Sequence, residues 1–355
     1  MKSKFFINTA LALVISSCTF GSLIPVYSQT VQPINVNNIV SDVSDGVVKV
    51  YTTKSNDNDQ FTPLFKNFFI NKEDAPPPPI SVGSGFIIKQ DGIVITNNHV
   101  IEDKDIFYII LKDTTILKAT LIGKDPKLDI AVLKIQSDRE FKTVKLGNSD
   151  TVQVGDSVIA IGNPFNLDQT VTTGIVSALH RDISGPLDDF IQTSAPINHG
   201  NSGGPLFNSN GEVIGINTSI FSENGGGNVG VGFSNPTNNF LPTVEQILYL
   251  HEIRRGHLGI LVQSIDEIIK DGLNLVNSNG AIITFVDDNS PASDAGLQIG
   301  DVIITIDGNT IKSNRDLSRL IASYSAEKQV IFTIIRDGKQ LDKSINIKIL
   351  SQKIT

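Results

Sequence analysis

A serine set among glycines, an imidazole and a carboxylate occupy three well-separated segments of this 355-residue chain. The heptapeptide His199-Gly200-Asn201-Ser202-Gly203-Gly204-Pro205 holds the serine in a turn that small residues keep open. A carbonyl group can approach the backbone of such a turn closely, with peptide N–H groups facing it. A free serine hydroxyl is a poor nucleophile, so it needs a base beside it and a carboxylate to orient that base. His99, in Thr96-Asn97-Asn98-His99-Val100, and Asp129, in Leu128-Asp129-Ile130-Ala131-Val132-Leu133, supply these types. The chemistry such a set performs is attack of Ser202 on a carbonyl carbon, with His99 carrying the proton and Asp129 holding the imidazole. Gly200 and Ser202 supply the N–H groups for the resulting oxyanion, and Asn201 shapes their turn. His199 is a second imidazole, but a sequence neighbour points away across the turn, so His99 is the expected base.

Elements with strand periodicity must place these groups. Ile93–Thr96 reads as a strand delivering His99 at its end, and Asp129 opens a strand to Ile135. Pro205-Leu206-Phe207 reads as a turn before a strand at Glu212–Asn217. Short alternating runs recur at 47–53, 85–89, 92–96, 106–111, 116–123 and 129–135. A second series lies at 157–161, 169–179, 190–193, 213–219 and 229–233. Turn residues separate them, a pattern that predicts two small β-barrels with a cleft between. Residues 29–38 read as an extended uncharged arm, and Ser55–Pro79 as a long insertion with Phe61, Phe65, Phe68 and Phe69. Pro236–Arg255 reads as a closing helix, with Arg254-Arg255-Gly256 as linker. From His257 a separate module begins. It has Pro291 at a helix start, Asp307-Gly308 as a hairpin turn, a helix at Asn314–Ser323 and strands at 329–336 and 341–349.

Composition narrows the class. A net charge of −8 argues against a nucleic-acid partner. The one cysteine, Cys18, leaves no intramolecular disulfide. No metal-ligand spacing exists, and no cofactor is expected. Lys2 and Lys4 precede an apolar run at Phe5–Ile15, which reads as an export signal. Three outcomes stand open for residues 1–28: cleavage near Ser28, an uncleaved anchor spanning about Phe5–Tyr27, or lipidation at the Ile15-Ser16-Ser17-Cys18 box. All three place the folded part outside the cytoplasm.

The chain order His99, Asp129, Ser202 is that of the chymotrypsin-type triad. With Gly83-Ser84-Gly85-Phe86-Ile87-Ile88, Gly162-Asn163-Pro164-Phe165, Val171–Leu179, Ile197–Leu206 and Gly230-Val231-Gly232-Phe233, the sequence resembles the HtrA/Deg serine proteases. That resemblance implies a mainly β fold: two six-stranded chymotrypsin-like barrels within 29–254, then a PDZ domain at 255–355. One such domain rather than two matches the DegS-like branch. The family also implies a periplasmic endopeptidase, tethered or free, acting on unfolded or membrane-associated proteins, and a homotrimer. Arg181 matches its sensor loop. C-terminal peptides would add as a strand beside Leu258-Gly259-Ile260, facing Asn314–Ser323.

Departures from the family matter as well. Trypsin-like zymogens carry Asp before the serine, where this chain has Asn201, so loop rearrangement rather than N-terminal cleavage is the expected switch. Pro196 should form the pocket base, with Ile197, Val229, Gly230, Val231 and Gly232 as walls. None is acidic, which predicts small or medium aliphatic residues before the scissile bond. The alternative reading is a holding chaperone or peptide-binding scaffold with a dispensable triad.

Overall fold

The computed structural model describes residues 35–54, 81–163, 169–183, 185, 187–220 and 228–354. The export signal, arm residues 29–34, the Ser55–Pro79 insertion and Pro164-Phe165 lie outside the described residues. Strands rich in Val and Ile, whose branched side chains suit a half-buried pleated surface, dominate what is described.

Six strands close the first barrel: β1 (Val47–Thr53), β2 (Ser81–Lys89), β3 (Ile93–Thr96), β4 (Ile106–Ile110), β5 (Ile116–Asp125) and β6 (Ile130–Ile135). They pair in the order β1-β2-β3-β6-β5-β4, with β4 returning to β1. Val48, Ile87, Val94, Ile109 and Leu133 fill the interior. Each fully buried side chain of this size contributes about 1.5–3 kcal/mol relative to an exposed one.

The second barrel contains β8 (Ser157–Gly162), β9 (Thr170–Arg181), β10 (Phe190–Thr193), β11 (Pro205–Phe207), β12 (Glu212–Ile220) and β13 (Gly232–Pro236), with the short β7 (Lys145–Leu146) added parallel to β12. Pairing of β11 with both β8 and β12 closes the ring. Pro205-Leu206-Phe207 is therefore a strand rather than a turn. All three residues are buried, and proline is tolerated at a strand's first residue. A shared core of Phe86, Ile95 and Ile130 from the first barrel, and Ile159, Phe207 and Ile216 from the second, joins the two.

Two helical readings also need correction. Val36–Val43 forms helix α1, capped by the Asn35 side chain, so the arm is not extended up to residue 38. The closing helix, α3 (Thr237–Leu250), stops at His251, whose φ of 54° places it in the left-handed region. Its Phe240, Val244 and Ile247 pack into the shared core. The chain then continues as β14 (Glu252–His257), paired with β20 (Lys339–Lys353). The Arg254-Arg255-Gly256 segment is thus a strand instead of a linker. Arg255 ion-pairs with Asp125 of β5, whose side chain is fully buried.

The third sheet runs β14-β20-β19-β17-β16-β15. Its other members are β15 (Ile260–Ser264), β16 (Ala281–Val286), β17 (Val302–Ile306) and β19 (Lys328–Arg336), with β18 (Asn309–Thr310) on β17. Asp307 and Gly308, at φ 47° and 79°, make the tight turn between β17 and β18. The short helices α4 (Glu267–Gly272) and α5 (Pro291–Asp294) and the longer α6 (Asn314–Ser323) complete the module. Phe332, Ile303, Leu317 and Ile347 lie in its core.

Candidate active site

His99 does not sit at the end of β3 itself. It lies in a one-turn helix, α2 (Asn98–Ile101), that follows β3 after Asn97. Val100 and Ile101 bury into the first barrel, which leaves the imidazole facing solvent. Asp129 precedes β6 and adopts φ 54°. Its two carboxylate oxygens divide their work: Oδ1 accepts the backbone N–H of His99 at 2.8 Å, and Oδ2 lies 2.6 Å from His99 Nδ1. This bidentate hold fixes both the imidazole and the backbone that carries it, and the Nδ1 contact leaves Nε2 free of the carboxylate.

Ser202 stands in the turn before β11. Its hydroxyl donates to the carbonyl oxygen of Thr218 at 3.4 Å. Thr218 belongs to β12, and its Oγ1 accepts Asn97 Nδ2 at 3.1 Å. The three segments therefore meet around Thr218. Gly200 has φ 99° and Gly203 φ 84°. A Cβ on Gly203 would come within 2.2 Å of the Ser84 carbonyl oxygen, so only glycine fits. Asn201 is buried, and its N–H donates to Asn198 at 2.9 Å. Among the described residues, the N–H groups of Gly200 and Ser202 have no hydrogen-bond acceptor.

Ser84 is a residue that reasoning from types alone does not single out. Its N–H donates to the Ser202 carbonyl at 2.8 Å, and its Oγ donates to the Gly200 carbonyl at 2.6 Å. It thus fastens the nucleophile's turn to β2 of the opposite barrel. The only sequence signal was its place between Gly83 and Gly85.

The residues expected at the pocket divide. Ile197 is buried, and a Cβ on Gly232 would lie 2.6 Å from its Cγ1, so these two touch. Pro196 is exposed, and its carbonyl accepts the Thr172 hydroxyl at 2.9 Å. Val229 and Gly230 are exposed, while Val231 is half-buried. Among the described residues, no cluster of His, Cys, Asp or Glu could hold a metal ion.

Arg181 Nε donates to Gln192 Oε1 at 2.9 Å. Its neighbours make the longer-range contacts: Asp182 pairs with Arg315 at 2.5 Å, and Asp189 with Arg319 at 2.5 Å. Burial outweighs the nearby guanidinium groups and holds the Asp182 carboxyl above its ordinary value. Both arginines lie on α6. Gly259, at φ 77°, packs so closely that a Cβ would lie 2.2 Å from Ser290 Cβ, and Leu258 is buried. Ile260 opens β15, the edge strand of its sheet. A cavity of about 1220 Å³ extends from His99, Asp129 and Thr218 to Leu258, Gly259 and Ile260.

Two barrels with a serine, an imidazole and a carboxylate at their junction, followed by a sheet with a groove at its edge, define the trypsin-like peptidase class joined to a PDZ domain. Residues 83–216 match the trypsin-like peptidase domain family, and residues 229–348 match the PDZ domain family. The latter match begins inside the second barrel, at a point before β13. A probable periplasmic serine endoprotease DegP-like from Brucella suis biovar 1 (strain 1330) is 45% identical over 282 residues, 78% of this chain and 55% of that protein. Its counterpart from Rickettsia conorii (strain ATCC VR-613 / Malish 7) is 40% identical over 338 residues, 90% of this chain and 66% of that protein. The chain thus spans about half the length of the Brucella relative. The solved structure of the HtrA-type protease AlgW with tripeptide aligns with a TM-score of 0.75 at 34% identity, covering 88% of this chain and 97% of that one. A serine endoprotease from Yersinia pestis aligns at 0.64 and 30%, covering 90% and 99%. The chain belongs to the HtrA-type protease family.

Proposed function

We propose that this chain is a periplasmic serine endopeptidase acting on unfolded or membrane-associated proteins. The observation that carries the proposal is the bidentate hold of Asp129 on His99 beside a glycine-framed serine whose turn presents two N–H groups without an acceptor among the described residues. In this reading the Ser202 hydroxyl leaves Thr218, gives its proton to His99 Nε2 and attacks the scissile carbonyl. Catalytic hydrogen bonds often tighten only once substrate is bound. Asp129 stabilises the imidazolium, and the N–H groups of Gly200 and Ser202 hold the oxyanion. The imidazolium then protonates the leaving amine, and water releases the acyl group by the same steps.

Contact between Ile197 and Gly232, with no carboxylate among the expected wall residues, supports cleavage after small or medium aliphatic side chains. The exposed edge of β15, opposite α6, supports capture of a C-terminal peptide as an added strand. Contacts from α6 to Asp182 and Asp189 support control of the active site by that peptide, in a chain that works as a homotrimer. The name of the AlgW structure, which includes a bound tripeptide, is in keeping with peptide capture.

Casein digestion by wild type and Ser202→Ala tests the assignment. Hydrolysis lost on substitution supports it. Equal hydrolysis by both overturns it, and none by either under peptide activation overturns it in favour of a holding chaperone.

A further inference from the structure

We propose that the carboxamides of Asn97 and Asn235 act as a clamp that positions Asp129. This inference rests on the serine-peptidase reading and assigns two residues which support its carboxylate. Asp129 is in the left-handed region, and both of its carboxylate oxygens face His99. A non-glycine residue there needs its neighbours to hold it. Two consecutive carbonyls supply the handles. Asn97 Nδ2 donates to the Asp129 carbonyl at 2.8 Å, from the strand side of the first barrel. Asn235 Nδ2, from β13 of the second barrel, donates to the Leu128 carbonyl at 2.9 Å. The backbone N–H of Asn98 adds a third bond to the Asp129 carbonyl, at 3.1 Å.

Both side chains are buried. Asn235 is oriented in turn: its Oδ1 accepts Asn239 Nδ2 at 2.9 Å. Asn97 is more telling. Its Oδ1 is buried without a partner among the described residues. An orphaned buried acceptor is unfavourable, and an apolar residue of similar size would avoid it. The amide group at this position is therefore explained by what Nδ2 does. Besides Asp129 it reaches Thr218 Oγ1, in the residue whose carbonyl accepts the Ser202 hydroxyl. Asn97 thus touches the carboxylate's backbone and the serine's anchor at once, while Asn235 ties the same turn to the opposite barrel. Lys127, Asp188, Asp189 and Arg255 are the other charged groups around this cavity.

The test is a spectroscopic one, made on Ser202→Ala protein so that no hydrolysis is needed. The His99 Nδ1 proton held by Asp129 should give a low-field proton NMR resonance. Asn97→Ala should move it upfield or broaden it beyond detection. Asn208→Ala, which removes a carboxamide from the distant β11–β12 turn, should leave it in place. With Ser202 present, Asn97→Ala should lower kcat about tenfold to a hundredfold while KM stays within about twofold. An unchanged resonance in folded Asn97→Ala protein overturns the clamp. Should that variant fail to fold, Asn235→Ala decides, since it frees the Leu128 carbonyl and Asn239 Nδ2 but leaves the Asp129 carbonyl its own donors, and an unchanged resonance again overturns the clamp. A displaced resonance together with a wild type that hydrolyses nothing would sustain the clamp and defeat the peptidase reading.

Discussion

Arg319 and Asp189 join α6 to the loop before β10. Arg319 Nη1 lies 2.5 Å from Asp189 Oδ1, and the same oxygen lies 2.7 Å from His180 Nδ1. Arg319 Nη1 also donates to the Asp188 carbonyl at 3.2 Å, and its Nη2 to Asp316 at 2.6 Å. One guanidinium therefore grips its own helix and the loop together. If a peptide bound beside α6 is sensed by the barrels, this is the contact through which movement of the helix is felt. Arg319→Ala should bring the ratio of cleavage rates with and without a C-terminal peptide toward one. Measuring both rates on casein checks this, and an unaltered ratio removes the pair from the coupling route.

Ser84 should matter to rate more than to substrate affinity. Its hydroxyl and N–H hold the carbonyls of Gly200 and Ser202; Ser84→Ala removes only the hydroxyl's bond and so loosens, at Gly200, the turn whose N–H groups would meet the oxyanion. Loss of one oxyanion donor costs about 10²–10³ in rate. Loosening the turn should cost less, about tenfold to a hundredfold in kcat, with KM little changed. Steady-state kinetics on a small aliphatic peptide substrate would show it. A rise in KM alone would place Ser84 in substrate binding instead.

Gly203→Ala should destabilise the fold as well as the site. The new methyl group would lie 2.2 Å from the Ser84 carbonyl oxygen and 2.3 Å from Thr96 Oγ1, at a φ of 84° that alanine disfavours. Strain and overpacking together should lower stability by about 2–4 kcal/mol. Urea unfolding monitored by circular dichroism gives the value. A loss below about 0.5 kcal/mol would mean that the turn relaxes freely.

Two aspartates should respond to pH with opposite signs. Hydrogen bonds from Lys142 and then Lys112 hold Asp45 below its ordinary 3.8, whereas burial raises Asp182 above it despite the pairing with Arg315. For Asp45, the stabilisation is present above 3.8 and is lost as pH falls through the lower folded value. For Asp182, the favourable contribution is complete below 3.8 and is lost as pH rises through the higher folded value. At neutral pH, Asp45→Asn should therefore destabilise and Asp182→Asn should be neutral or stabilising. Each effect should be about 0.5 kcal/mol or less, because solvent screens groups this accessible. Both should vanish well below pH 3.8. Urea midpoints at the two pH values test this, and a destabilising Asp182→Asn at neutral pH would show that its ion pair outweighs burial.

The sequence by itself determined the types and order of the reacting groups, the barrel strands and the following module. Glycine crowding around Ser202 and the β-branched runs flanking His99 and Asp129 are local signals, and local sterics and periodicity act on neighbours in the chain. It left Pro205–Phe207 as a turn and residues 252–256 as helix end and linker, because pairing with β8, β12 and β20 is set by strands far along the chain. Only the tertiary structure decided that Ser84 grips the serine's turn and that Asn97 and Asn235 reach Leu128 and Asp129 from two barrels. It also decided that Asp182 and Asp189, rather than Arg181, meet α6. Such contacts depend on where closed sheets bring distant side chains to within about 3 Å, the reach of a hydrogen bond, and spacing along one chain does not encode that directly.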